Sequence, residues 1–435
     1  MLPRTGTAGA RLSRSNLVKR AFLVALGLLV LAYDRPVPAA SPGKLELKDG
    51  DRVVLIGDTF IERDQKHGYL ETVLTLRNPG KRIVFRNLGW SGDSVFGDAR
   101  SGFGTRADGF KQLKDHVLAL KPTVIIAGYG MTDSFSGAAG FDAFVRGLET
   151  LLGVFDETKA RIVLLSPLGH ENLGKPLPNP AQHIRDLERY SAAIAEAAKK
   201  RGIPFLDLLH HEGLWNYSPE KGAQHPPLTD NGIHLTPAGS WTVGSLLASE
   251  LQGDPNSPWL VELKADGTLD RAEGTKVSQV QASSQGLRFE LKDASLPAPP
   301  PPPGTRASDL GFEKSRTLKI VGLPSGRYNL KIDGKPVLKA YAETLRNLTL
   351  RQGPEFEQVE HLRTVINAKN LLYFHRWRPQ NETYLFGFRK HEQGQNAREI
   401  PLFDPLIEEK EKEVISLSVP VAHVYELVRE SEVGK

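Results

Sequence analysis

The chain has 435 residues, a formal charge of +5, 40% hydrophobic residues and 25% charged residues. That length exceeds one ordinary core and predicts two or three domains. The small charge, with no concentrated basic stripe, argues against nucleic-acid binding. No cysteine is present. Disulfides, thiolate metal sites and a cysteine nucleophile are therefore excluded.

In chain order, Arg4, Arg11, Arg14, Lys19 and Arg20 form a basic leader, and thirteen largely apolar residues follow from Ala21 to Tyr33. Small residues near Ala39 and Ala40 complete the order expected of a secretory signal over residues 1–40. The apolar run is short for a membrane span. The body is expected to be secreted or periplasmic, with no integral membrane association once the leader is removed.

From Leu45 to Gly253, strand-like and helix-like segments alternate. Short apolar runs predict strands at Arg52–Ile56, Ile83–Asn87, Thr123–Ala127, Arg161–Ser166 and Pro204–Leu208. Helical patterns lie at Ile61–Leu76, Ala107–Leu120, Phe141–Leu152 and Ile184–Lys200, with a final helix from Pro237. Five strands alternating with helices imply an α/β fold with a parallel sheet covered on both faces, here over residues 44–253. Residues 254–304 read as a β-rich connector. It ends in the proline run Leu296–Gly304, expected to act as a stiff extended linker. Residues 305–435 read as a separate mixed β/α region. Strands are predicted at Thr317–Val321, Arg327–Ile332 and Pro336–Lys339, and a helix at Glu355–Leu372. An aromatic and polar block runs from Tyr373 to Pro401, and Glu408–Glu413 reads as a solvated helix face.

Four segments of the α/β region carry the chemistry. Three follow predicted strands: Gly57-Asp58-Thr59, Gly89-Trp90-Ser91-Gly92-Asp93-Ser94 and Gly128-Tyr129-Gly130-Met131-Thr132-Asp133. The fourth, Thr229-Asp230-Asn231-Gly232-Ile233-His234, precedes the last helix. Open α/β sheets bind ligands at the carboxyl ends of their strands, so the segments should share one crevice.

This set resembles the sequence blocks of the SGNH, or GDSL-type, hydrolases, which are esterases and acylhydrolases with a three-layer flavodoxin-like sandwich. The resemblance spans Leu45–Leu251. It implies a nucleophile at Thr59, where the family has serine, and a base at His234, oriented by Asp230 or Asn231. It implies an oxyanion hole from the Thr59 and Gly92 backbone N–H groups and Thr132, which replaces the family's asparagine. Asp58, Ser91, Asp93, Ser94 and Asp133 are expected to line the pocket. The literal Gly92-Asp93-Ser94 follows the second strand and fits the second block better, so Thr59 is preferred over Ser94.

Three departures carry chemical costs. The threonine methyl crowds attack. Loss of one oxyanion donor costs about 2.7–4 kcal/mol. An amide in place of the orienting acid costs on the order of 10⁴ in turnover. These substitutions keep open a second reading, a catalytically silent scaffold that binds a glycan or a partner protein. No metal or organic cofactor is implied, and the expected partner is an ester-bearing small molecule or polysaccharide. His210, His211 and His225 are read as solvated loop residues in preference to metal ligands with His234; the pair His170-Glu171, after the fourth strand, could reach the crevice, with a loop role preferred. Phe374, Trp377, Tyr384, Phe386 and Phe388 would stack on sugars or form a small core, and Arg376, Arg378, Arg389 and Lys390 could face an acidic polysaccharide.

Overall fold

The computed structural model describes residues 44–212, 214–215, 226–253, 258–305, 316–392, 394 and 396–430. The expected leader over residues 1–40 and His225 lie outside them. Five parallel strands, β1 (Arg52–Gly57), β2 (Val84–Asn87), β3 (Val124–Gly128), β4 (Arg161–Leu165) and β5 (Phe205–Leu206), form a sheet in the order β2-β1-β3-β4-β5. Strand β1 is flanked on both sides, and its side chains alternate between two cores. Val53 and Leu55 pack beneath α1 (Thr59–Asp64), α2 (Tyr69–Leu76) and, later in the chain, α7 (Pro237–Gln252). Val54 and Ile56 face α3 (Arg106–Leu120), α5 (Gly137–Thr158) and α6 (Ala181–Arg201). A one-turn helix, α4 (Met131–Ser134), follows β3. The result is the expected three-layer sandwich.

The helix predicted over Ile61–Leu76 is two helices, α1 and α2, separated at Gln65–Gly68. Gly68 sits at φ +64°, and a Cβ there would lie 2.2 Å from Asn367 Oδ1. The break thus lies against the C-terminal region, with the Asn367 side chain beside it, and the left-handed conformation of Gly68 favours glycine there.

Strand pairing also corrects the division at the proline run. One sheet joins β6 (Trp259–Lys264) and β7 (Leu269–Glu273) to β10 (Arg316–Val321) and β13 (Leu348–Leu350). The other joins β8 (Thr275–Ser283) and β9 (Gly286–Asp293) to β11 (Arg327–Ile332), β12 (Lys335–Tyr341) and β14 (Ala422–Arg429). Each sheet draws strands from both sides of the run, and both contribute to one core around Phe289, Tyr328 and Tyr425. Residues 254–304 and 305–435 therefore build one β unit. The proline run is not a free spacer. Leu296 is buried, and the Trp241 indole N–H on α7 donates to the Pro299 carbonyl at 2.9 Å.

Two long C-terminal helices, α8 (Pro354–Trp377) and α9 (Phe403–Leu417), lie against the α/β unit near α2 and β2. Tyr373 and Ile407 enter the core of α3 and α5. The contact contains a buried ion pair between Lys369 and Glu71, with Asn370 Nδ2 donating to Glu71 Oε2 at 3.1 Å. Removing one partner of such a pair strands a buried charge, which costs about 3–5 kcal/mol, whereas replacing both with apolar residues is often neutral. Lys369→Ala should therefore lower the thermal unfolding temperature markedly, and Lys369→Met with Glu71→Leu should recover most of the loss. A double variant less stable than the single one would contradict this.

Candidate active site

The site begins where β1 stops. Gly57 ends the strand so close to β3 that a Cβ would lie 2.1 Å from the Gly128 carbonyl oxygen. Asp58 then caps α1. Its Oδ1 accepts from the Phe60 N–H at 3.3 Å, and its Oδ2 accepts from the Thr132 N–H at 3.5 Å. This one carboxyl joins the first helix to the turn after β3. Thr59, the first residue of α1, is buried, and its Oγ1 accepts from the Gly92 N–H at 3.2 Å. Gly92 adopts φ +76°, a conformation open to glycine and costly for other residues.

Thr59 and Asp58 line a cleft of about 510 Å³, part of it open to solvent, together with Arg63, Asp64, Met131, His170 and His234. Three expected site residues, Asp58, Thr59 and His234, are thus brought together. Gly92 joins them through the Thr59 hydroxyl. Thr132 meets the site through its backbone N–H and is not among the lining residues.

The expected Ser91, Asp93, Ser94 and Asp133 do not line the cleft either. The Ser91 N–H is held by the Glu62 carboxylate. Asp93 lies beneath the site in a fully buried pair with Arg100 at 2.7 Å, which also ties down the Leu88 carbonyl. The Ser94 hydroxyl donates to Asp98 Oδ2 at 2.6 Å and accepts from the Phe96 N–H at 3.2 Å. That leaves it engaged within its own loop. Asp133 Oδ1 accepts from the Val95 N–H at 3.3 Å, while its Oδ2 is buried without a protein partner.

The fourth block hangs from Glu171. Its carboxylate accepts from the Leu228 N–H at 3.0 Å, the Thr229 N–H at 2.7 Å and the Thr229 hydroxyl at 2.5 Å. Asn231 then determines the state of His234. Asn231 Oδ1 accepts from the backbone N–H groups of Ile233 at 3.1 Å and His234 at 2.8 Å. The amide nitrogen is thereby turned toward His234 Nδ1 at 3.2 Å. Since the amide nitrogen only donates, Nδ1 must accept, and the neutral ring carries its proton on Nε2. Asp230 does not take the orienting position. Its exposed carboxylate pairs with Arg63 at 3.5 Å. Burial, then the nearby Arg63 charge, lowers the pKa of His234.

The C-terminal region buttresses the second block. The Arg378 guanidinium lies 3.6 Å from the Trp90 ring centroid and pairs with Glu62 at 3.2 Å, the same carboxylate that holds the Ser91 N–H. Trp377 packs edge-on to Trp90 with centroids 5.7 Å apart. Arg376 pairs with Asp404 and Arg389 with Glu392, while Phe386 and Phe388 remain exposed. Among the described residues, no three His, Asp or Glu side chains are grouped to hold a metal ion.

The profile of the GDSL-like lipase/acylhydrolase family matches residues 56–241. This segment lies within the α/β unit and is what the chain shares with the GDSL-like hydrolases. The GDSL family is one of lipases and acylhydrolases, and the matched segment runs from the end of β1 through β2, β3, β4 and β5. No curated protein matches the chain. A solved structure described as a gut microbial diltiazem-metabolizing enzyme is similar in fold, with a TM-score of 0.70 at 16% identity, covering 90% of this chain and 100% of its own. The acetylxylan esterase Axe2 from Geobacillus stearothermophilus is 17% identical, covers 48% of this chain and 96% of its own, and has a TM-score of 0.37.

Sequence reasoning passed over Arg63 and Asp64 and read His170 and Glu171 as loop residues. The first two stand on α1, about one turn beyond Thr59. The other two follow β4, and their position at a strand end was the signal.

Burial pushes the carboxyls of Asp58 and Asp133 from 3.8 up to about 7; the Asp93 charge raises both, and the Asp58 charge adds at Asp133. Near pH 4 the folded protein keeps protons that the unfolded chain is beginning to lose. Stability on this account falls as pH rises from about 4 to about 7 and then levels off. Asp133→Asn can keep the Val95 hydrogen bond and removes one charge. Thermal unfolding should find it close to wild type near pH 4 and more stable near pH 8. An equal shift at both pH values would contradict this.

Proposed function

We propose that the protein is an ester hydrolase in which the Thr59 hydroxyl is the nucleophile. The observation that carries the reading is the placement of Thr59. It stands at the first turn of α1, shares the cleft with His234, and its Oγ1 is held by the Gly92 N–H at 3.2 Å. On this reading Thr59 Oγ attacks the ester carbonyl carbon and the alcohol leaves. Water then hydrolyses the acyl-threonine to release the acid. The Thr59 and Gly92 backbone N–H groups stabilise the oxyanion, with Thr132 alongside them.

His234 takes the Thr59 proton on Nε2 only if Nδ1 carries a hydrogen and faces an acceptor. Turning the Asn231 amide provides that acceptor and gives up its two backbone hydrogen bonds, each worth about 1 kcal/mol. The threonine reading therefore implies a slow enzyme whose base is poorly supported. The leader over residues 1–40 and the exposed rings of Phe386 and Phe388 support an exported protein acting on an acylated carbohydrate.

The amide nitrogen facing His234 Nδ1 also favours the second reading, a silent scaffold that binds a glycan or partner protein. Hydrolysis of p-nitrophenyl acetate and acetylated xylan separates the two. Thr59→Ala and His234→Ala should abolish turnover, and Ser94→Ala should leave turnover near wild type. Asn231→Asp should raise turnover by 10²-fold or more, because an acid-to-amide change at this position in a triad costs on the order of 10⁴. If Asn231→Asp has no more activity than Thr59→Ala on either substrate, the scaffold reading prevails.

A further inference from the structure

The cleft holds a second imidazole, and its hydrogen-bond chain fixes its protonation. Ser134 Oγ donates its single proton to the Met131 carbonyl at 2.7 Å. It must therefore accept from His183 Nε2, 2.8 Å away. Neutral His183 then carries its proton on Nε2 and presents a lone pair at Nδ1. His170 Nδ1 lies 3.4 Å from that lone pair and must be the donor. Neutral His170 consequently carries its proton on Nδ1 and has a lone pair at Nε2. His170 is 6% exposed, lines the cleft with Thr59, and its Nε2 is buried without a protein partner. Phe135 stacks on His183 at 3.9 Å between ring centroids and holds the relay in place.

Both rings stay neutral at physiological pH. Burial, with the neighbouring His183, pushes His170 down to about 4, and burial lowers His183. The cleft thus contains two imidazoles with opposite settings. His234 carries an Nε2 donor as long as Asn231 keeps its orientation, and His170 carries an unpaired Nε2 acceptor in the cleft wall. The walls beside His170 include Pro167, Leu168, Met131 and Ile233. A buried acceptor among apolar neighbours discriminates strongly. A ligand O–H satisfies it, while a carboxylate or bare hydrocarbon leaves it unpaired at a cost.

We propose that His170 is a specificity-determining residue that accepts a hydrogen bond from a hydroxyl group carried by the substrate beside its ester. This directs the cleft toward hydroxylated esters, such as partly acylated polyols and sugars. The turnover arm of the test rests on the hydrolase reading. The binding arm does not.

The turnover arm compares trans-2-hydroxycyclohexyl acetate with cyclohexyl acetate, which differ by one hydroxyl. The wild-type kcat/KM should favour the hydroxylated ester by about tenfold or more. His170→Phe should bring the ratio close to one. The binding arm follows the ring nitrogens of His170 by 15N NMR in Thr59→Ala protein. The free protein should show Nε2 unprotonated. Saturation with trans-1,2-cyclohexanediol should move that resonance toward the hydrogen-bonded position, and trans-1,2-dimethoxycyclohexane should not move it.

A protonated Nε2 in the free protein would overturn the proposal. So would equal responses to diol and diether, or an unchanged substrate ratio in a folded His170→Phe protein. If wild type hydrolyses neither ester and the diol shift is seen, the hydrolase reading is set back for these substrates and the His170 site stands.

Discussion

Everything in the cleft depends on the Asp58 carboxyl. It is buried beneath the sheet's carboxyl edge, caps α1 through the Phe60 N–H and reaches the Thr132 N–H in the turn after β3. Two loops that are remote in sequence are thereby set at one height, and Thr59 is presented from a helix N-terminus with no loop of its own to relax. Enclosure of Asp58, Asp93 and Asp133 carries an electrostatic cost, visible in the raised pKa values of all three, with burial as the leading cause. Arg100 offsets part of it at Asp93. Folding therefore concentrates acidic groups under the site and keeps protons on some of them.

At the opposite wall of the cleft, the side chains that surround His234 set its chemistry. Arg63 draws Asp230 away, and Asn231 is committed to two backbone N–H groups. His234 is left facing an amide donor, with burial and Arg63 both disfavouring its charged form. The nearby His170 has the complementary setting because Ser134 and His183 pass a chain of donors toward it. Protonation in this cleft follows from hydrogen-bond directions that a count of histidines does not reveal.

The α/β fold was legible because each central strand is a short apolar run ended by glycine or a polar residue, and α5 and α6 each have an apolar face. The block around Thr59 was legible for the same reason, since Gly57-Asp58-Thr59 follows such a run. What escaped was non-local. Nothing near the proline run indicates that β6 pairs with β10 or that β9 pairs with β14. Gly68 gives only a faint sign that the helix breaks there, beside Asn367. Asp230 and Asn231 were both visible beside His234. Asn231 is the one that faces the ring, its Oδ1 anchored by the Ile233 and His234 N–H groups, while Asp230 pairs with Arg63. Ser94 has the motif's letters, yet its hydroxyl is occupied by Asp98.

The central claim is that Thr59 is a working nucleophile, and intact-protein mass spectrometry with peptide mapping after exposure to a fluorophosphonate tests it most directly. The account predicts a single adduct on Thr59, lost in Thr59→Ala and formed faster in Asn231→Asp. An adduct on Ser94, or none on wild type and Asn231→Asp alike, would contradict it.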